Sequence, residues 1–380
     1  MRIIIYNINS FGGNYEYAKC IFQAYKQHPD VENCVMLMPA NAAVAERDIL
    51  TVLHSDTVEH KNKWVRKVRF LYRSLSNPYK LYNYIKKQPS SLVLFNDFDQ
   101  VTAWFWASLF KHLKKKHFFA VMLHDPDRDR FFPYRFLSDS SMTSIMSFMD
   151  IAFYHGFIPD KSYYNGPFLK VQVPHGIYEN EGIDETFFEL LLKRAEGRKL
   201  LGILGNIRKE KSYEIVIEAL QQLDGVALLV AGKAANSAVS IDYYKQYAAE
   251  KNVEDKIIWI DEYLDQSKFN AAISVCEIVL LYYQPSFTSQ SGVLNTIAPF
   301  KKKLIVSDIQ SSLTETVKQY GLGEIVPYDS REQFIETIQH EFSKPANKNN
   351  KNWEVYMADH SWQKHVSIAI ENYKRCLHEH

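Results

Sequence analysis

Four cysteines in 380 residues (Cys20, Cys34, Cys276 and Cys376) lie far apart, with no CxxC pair among them. That spacing excludes a disulfide framework and a thiolate zinc site, and it fits reduced thiols in a cytosolic protein. The chain contains no GxGxxG, so it lacks the dinucleotide-binding fingerprint. No apolar run approaches the ~20 residues that a bilayer-spanning helix needs. Met1 and Arg2 lead straight into a strand-like stretch, with none of the apolar core of a signal peptide. A cytoplasmic location is the expectation. An excess of one charge is also missing overall. The net charge is +1, and no nucleic-acid recognition module is legible, so no nucleic-acid partner is expected.

What the chain does have is an alternation of short apolar runs and longer amphipathic ones. Arg2–Asn7, Cys34–Met38, Ser91–Phe95, Phe118–His124, Ile151–Tyr154 and Lys170–Val173 read as strands. Their near-continuous apolar character suits parallel strands covered on both faces. Tyr15–Gln27 has helical spacing, with Tyr17, Ile21, Ala24 and Tyr25 on one side. After a polar interlude, Glu179–Lys199, the rhythm restarts with strands at Leu200–Leu204, Val226–Ala231, Ile257–Ile260, Ile278–Tyr283 and Leu304–Val306. Helical patterns at Tyr213–Leu223, Asp242–Lys251, Asp265–Val275 and Gly292–Pro299 separate them. The spacing predicts two α/β domains of doubly wound, Rossmann-like type, 1–178 and 179–355, facing a cleft. A last helix within 356–380, with Trp362, Val366, Ala369, Tyr373 and Leu377 in helical register, is expected to pack back on the protein.

Several strand ends carry residues suited to an anionic ligand. Ser10-Phe11-Gly12-Gly13-Asn14 follows the first strand, and its paired glycines let a ligand approach backbone amides at a helix start. The same pair also serves a plain tight turn. His124-Asp125-Pro126 ends the fourth strand, where a histidine is placed for chemistry and Asp125 could orient it. Asp127-Arg128-Asp129-Arg130 fails as a calcium loop, with Arg130 where glycine belongs and Phe136 where glutamate belongs, and reads as a solvated charged loop. Gly205-Asn206-Ile207-Arg208-Lys209-Glu210-Lys211 offers Arg208 as a bidentate fork and Lys211 as a movable point charge for phosphate oxygens. Ser289-Gln290-Ser291-Gly292 opens another helix with hydroxyls and bare amides.

Together these patterns resemble the retaining GT-B glycosyltransferases of the family 4-like group, over almost the whole chain. The resemblance implies transfer of a sugar from a nucleoside diphosphate sugar to a saccharide or lipid-linked acceptor, without a bound metal or other cofactor. It implies that Gly12 and Gly13 lie near donor phosphates or acceptor, that His124 lies beside the donor sugar, and that Arg208 and Lys211 neutralise the diphosphate. It also makes Pro174-His175-Gly176-Ile177 the junction between domains. One departure is large. The family's two glutamates, separated by seven residues, fall in register on Ser289 and Ile297. Ribose recognition then passes to Asn295 or Thr296. Two alternatives stay open beside a hexosyltransferase of surface polysaccharide or glycolipid assembly: a non-catalytic binding subunit of the same fold, and a sugar-nucleotide epimerase.

Charge is unevenly placed. Residues 61–116 hold thirteen Lys or Arg against Asp97 and Asp99, a net +11, which leaves −10 for the rest. Within that segment Trp64, Val68, Leu71 and Leu75 recur at helical spacing among Lys63, Arg66, Lys67, Arg69 and Arg73. Such a helix either lies on an anionic membrane surface at its inner face or turns its apolar stripe to its own sheet.

Overall fold

The computed structural model describes residues 1–43, 46–57, 62–129, 132–180, 182–235, 239–345 and 350–379. Two compact units emerge, Met1–Gly176 with Ser361–His380, and Ile177–His360.

The first unit is a seven-stranded parallel sheet in the order β3-β2-β1-β4-β5-β6-β7. Its strands are β1 (Arg2–Tyr6), β2 (Asn33–Pro39), β3 (Ile49–Leu53), β4 (Leu92–Phe95), β5 (Phe118–Leu123), β6 (Ile151–Tyr154) and β7 (Leu169–Gln172). β4 is buried along its whole length, as a strand covered on both faces must be. β3 escaped the sequence reading because it is an edge strand with an exposed middle, which breaks its apolar run. The helices are α1 (Gly13–Gln27), α2 (Lys63–Ile85), α3 (Ala103–Lys111) and α4 (Arg135–Met146). Pro78 lies inside α2 and cannot donate to the carbonyl of Ser74. Thr102 Oγ1 donates to that carbonyl instead, at 2.9 Å, so the helix continues with its freed acceptor satisfied.

The second unit holds a six-stranded parallel sheet in the order β10-β9-β8-β11-β12-β13. It comprises β8 (Lys199–Leu204), β9 (Val226–Ala231), β10 (Ile257–Ile260), β11 (Ile278–Leu281), β12 (Lys303–Asp308) and β13 (Glu324–Pro327). Its helices are α5 (Glu185–Ala195), α6 (Tyr213–Ala219), α7 (Ile241–Glu250), α8 (Gln266–Val275), α9 (Gly292–Ile297), α10 (Ser312–Tyr320), α11 (Arg331–Ser343) and α12 (Asn350–Asp359). Side-chain caps fix several starts. Asp184, Ser240, Asp265, Ser311 and Ser330 each accept from the amide three residues on. The polar interlude therefore conceals a helix. Asp184 caps α5, and Phe187, Leu191 and Ala195 bury one face of it.

The chain ends in α13 (Trp362–Glu379), which belongs to the first unit and packs on α1. His365 and Trp362 reach Tyr17 of α1, with ring centroids 5.8 and 5.0 Å away. A Cβ on Gly176 would meet the Trp362 indole at 2.1 Å, so only glycine fits the segment that the last helix covers.

Candidate functional site

In an open parallel sheet the ligand crevice lies beyond the strand carboxyl ends, where the strand order reverses. In the first unit that point falls between β1 and β4. Each of these strands ends in a buried asparagine, Asn7 and Asn96. Asn96 Nδ2 donates to Asn7 Oδ1 and to the Asn14 carbonyl, both at 3.1 Å. Its Oδ1 is thereby left facing His124 Nε2, 3.3 Å away. The imidazole must donate from Nε2, which leaves Nδ1 as its acceptor. Burial lowers the His124 pKa, with the Asp97 carboxylate pulling the other way, so the neutral ring is the resting form. The neighbour that orients the ring is thus Asn96.

Asp97 Oδ2 gathers the turn before α1, accepting from Asn9 Nδ2 at 2.7 Å and Asn14 Nδ2 at 2.8 Å. Asp56 holds the same turn from the β3 side, through the Ser10 amide and hydroxyl. Gly12, at φ 81°, sits in the left-handed region that glycine tolerates. Gly13 has no such need, and a Cβ on either would touch nothing within 4 Å. The backbone at the start of α1 is therefore bare towards open space.

Asp127 and Asp129 both pair with Lys161. Arg128 is not solvated as expected, but buried over the Phe98 ring at 4.6 Å. Arg130 lies outside the described residues, as does Lys61 of the basic segment. No group of three or more His, Cys, Asp or Glu suited to a metal occurs among the described residues. Beyond β6, an open pocket of about 410 Å³ is lined by residues that include Tyr154, Phe157, Lys161, Tyr164 and Lys170.

In the second unit the order reverses between β8 and β11. Gly205, at φ 82°, turns the chain after β8, and a Cβ there would lie 3.0 Å from Val293 of α9 and 3.7 Å from Lys211 Nζ. The basic turn and the α9 start are thus brought together. Lys211 is buried, and its Nζ donates to the carbonyls of Leu204 at 2.5 Å and Gly205 at 3.1 Å. An ammonium has three protons, so one donor remains. Burial, helped by the Arg208 charge, pushes the Lys211 pKa down to about 7. Arg208 itself is exposed. Ser291 is buried beside Tyr283, their hydroxyls 3.2 Å apart. Gln290 is engaged locally, accepting from the Ser291 amide and donating to Thr316 Oγ1. Ser289 is half-buried, and Gly292 is exposed with nothing within 4 Å of an added Cβ.

No family model and no curated protein matches the chain. Solved structures do. Sucrose-phosphate synthase from Thermosynechococcus elongatus aligns over 100% of both chains at 14% identity and a TM-score of 0.69. The Anabaena protein HepE, in complex with UDP-glucose, aligns over 98% of this chain and 100% of its own at 11% identity and 0.70. WaaG, a glycosyltransferase involved in lipopolysaccharide biosynthesis, covers 97% and 98% at 12% identity and 0.63. The chain has the GT-B fold.

Within this GT-B chain, Ile297, in register with one missing glutamate, is fully buried in the second unit's core. Asn295 is fully buried too, its Oδ1 accepting from Tyr356 at 2.5 Å, so its side chain faces the interior and not the strand ends. Thr296 donates to the Gly292 carbonyl within its own helix. The sequence reading missed Asn7, Asn9, Asn96 and Asp97. Their signal was present, since the apolar runs of β1 and β4 each stop at an asparagine.

Proposed function

We propose that this protein is a glycosyltransferase that moves a sugar from a nucleoside diphosphate sugar to a saccharide or lipid-linked acceptor. The carrying observation is the assembly at the β8/β11 switch point. Gly205 brings the basic turn, with exposed Arg208 and buried Lys211, against Val293 at the start of α9, where the Gly292 backbone is bare and suited to an anion. HepE, which shares the fold, was solved with UDP-glucose.

In this reading Arg208, Lys211 and the Ser289–Gly292 segment bind the diphosphate and stabilise the charge that develops as it leaves, in place of a metal ion. The anomeric C–O bond to phosphate breaks while the acceptor oxygen bonds to the same carbon. The acceptor's proton passes to the departing phosphate oxygen, with retention. His124 is assigned to the sugar, its Nδ1 presented as an acceptor by the bond from Nε2 to Asn96. Gly12 and Gly13 are assigned to phosphate or acceptor. No side chain is assigned to the ribose. We place the enzyme in the cytoplasm, at the inner face of a membrane reached through the basic segment, in surface polysaccharide or glycolipid assembly.

The test is thermal stabilisation by UDP, GDP, dTDP, ADP and CMP, beside an Arg208→Ala/Lys211→Ala variant. A ligand at a hundred times its dissociation constant adds roughly 2.7 kcal/mol. One nucleotide should raise the melting temperature of the wild-type chain only. No response to any of them in folded protein rejects the donor site. The departures at Ser289 and Ile297 favour one second reading, a non-catalytic binding subunit. In that case nucleotide binding would occur without turnover of any nucleotide sugar.

A further inference from the structure

We propose that the first half of α2 is a membrane-docking face, which lays an apolar ridge into an anionic phospholipid surface. This deepens the peripheral location proposed above and needs neither the donor site nor sugar transfer.

The structure divides α2 along its length and around its axis. Among the described side chains its buried residues are Ser74, Asn77, Pro78, Leu81 and Ile85, all in the second half. In the first half Trp64 is 74% exposed, Val68 61%, Leu71 44% and Tyr72 61%. At about 100° per residue these four share one stripe, roughly a third of a turn from the buried line. The apolar stripe is therefore turned away from the unit's own sheet. It runs on through exposed Tyr79, whose hydroxyl donates to the Phe105 carbonyl, to the exposed Phe105 ring on α3.

Charge surrounds this ridge. Lys63, Arg66, Lys67 and Arg69 are exposed, and none forms an ion pair among the described residues. Neither α2 nor α3 contains an acidic residue. Lys67 Nζ lies 5.4 Å from the Trp64 ring centre, so cation and indole are presented together. A bilayer interface matches both chemistries at once. Leucine, valine and the ring faces enter the acyl boundary, while ammonium and guanidinium groups stay among phosphates. A nucleic acid would use the cations but leave the aliphatic ridge in water. No helix among the described residues is long and apolar enough to cross the membrane, so contact is along the surface.

The test is co-sedimentation of the full chain with phosphatidylcholine vesicles, with and without phosphatidylglycerol, at several salt concentrations. Binding should require the anionic lipid and weaken with salt. A Trp64→Ala/Leu71→Ala variant and a Lys63→Glu/Arg66→Glu/Lys67→Glu variant should each lose at least about tenfold in affinity, with melting temperatures unchanged. A Lys245→Glu control, on an exposed site of the second unit, should bind normally. Absence of binding to anionic vesicles overturns the proposal. So does binding that survives the aromatic variant, or a single-stranded RNA that binds more tightly than the vesicles. Vesicle binding without any nucleotide response would reject the donor reading alone.

Discussion

Lys211 is the residue whose chemistry depends most on its surroundings. Its ammonium is already bonded to two carbonyls, yet burial and the Arg208 charge bring its pKa down to about 7. In the free protein it is then only part-protonated near neutrality, whereas a diphosphate would favour the charged form. Binding should therefore take up protons, and nucleotide affinity should fall as pH rises from 7 towards 9. Calorimetry of UDP binding in buffers of different ionisation enthalpy measures this uptake directly. Lys211→Arg, charged throughout, should abolish the proton uptake even where it weakens binding. Equal uptake in both proteins would remove Lys211 from the site. The Asn96–His124 pair is settled by the same kind of local accounting, because both amide protons of Asn96 are spent elsewhere.

The helix starts carry the next argument. Gly13 and Gly292 open α1 and α9 with ordinary backbone and no neighbour that a Cβ would strike. Nothing in the protein asks for glycine at either place. Alanine should therefore stabilise the fold by about 0.4–1 kcal/mol at each site, since it reduces the entropy of the unfolded chain. If an anion is held against these amides, the same substitutions should weaken ligand binding. The outcome expected for Gly292→Ala is a higher melting temperature with a smaller shift on adding nucleotide. A shift that stays full-sized would show that the bare backbone serves no ligand. For α2, the sequence showed an amphipathic helix but could not show which way its stripe turns. Only the packing of Ser74, Asn77, Leu81 and Ile85 fixes that rotation.

At the scale of the whole molecule, the two ends of the chain meet around Tyr17. His124, His155, His175 and His365 all place rings within 6 Å of its ring centre. His155 and His365 donate from Nδ1 to the carbonyls of Val173 and Pro174, each at 2.8 Å, and are buried. Burial lowers the pKa of His365 to about 4, and it lowers that of His155 as well. Unfolded histidines titrate near 6.5, so between these values the unfolded chain binds more protons. Stability is then full above pH 6.5 and lost as pH falls towards 4, with His365 alone contributing roughly 3 kcal/mol at most. Melting temperatures should hold from pH 8 to about 6.5 and then drop steeply towards pH 5, and His365→Phe should flatten the profile. An unchanged slope in that variant would mean that His365 does not carry the effect.

The sequence by itself determined the succession of elements, because parallel strands covered on both faces must be written as apolar runs. All eleven strands it marked lie within two residues of the observed limits at both ends; edge strands β3 and β13 were lost because exposure breaks the run. It also placed Gly12, Arg208, Lys211 and Ser291 at strand ends, since turn and charge residues are local signals. Tertiary structure alone decided which strand ends are neighbours, because sheet order is a matter of long-range pairing. It joined Asn7 to Asn96, and Gly205 to Val293, across 89 and 88 positions of sequence. It also buried Asn295 and Ile297, which a helical reading leaves free to point anywhere, and returned α13 to the first unit. Periodicity records which residues need a partner, and only the folded chain supplies that partner.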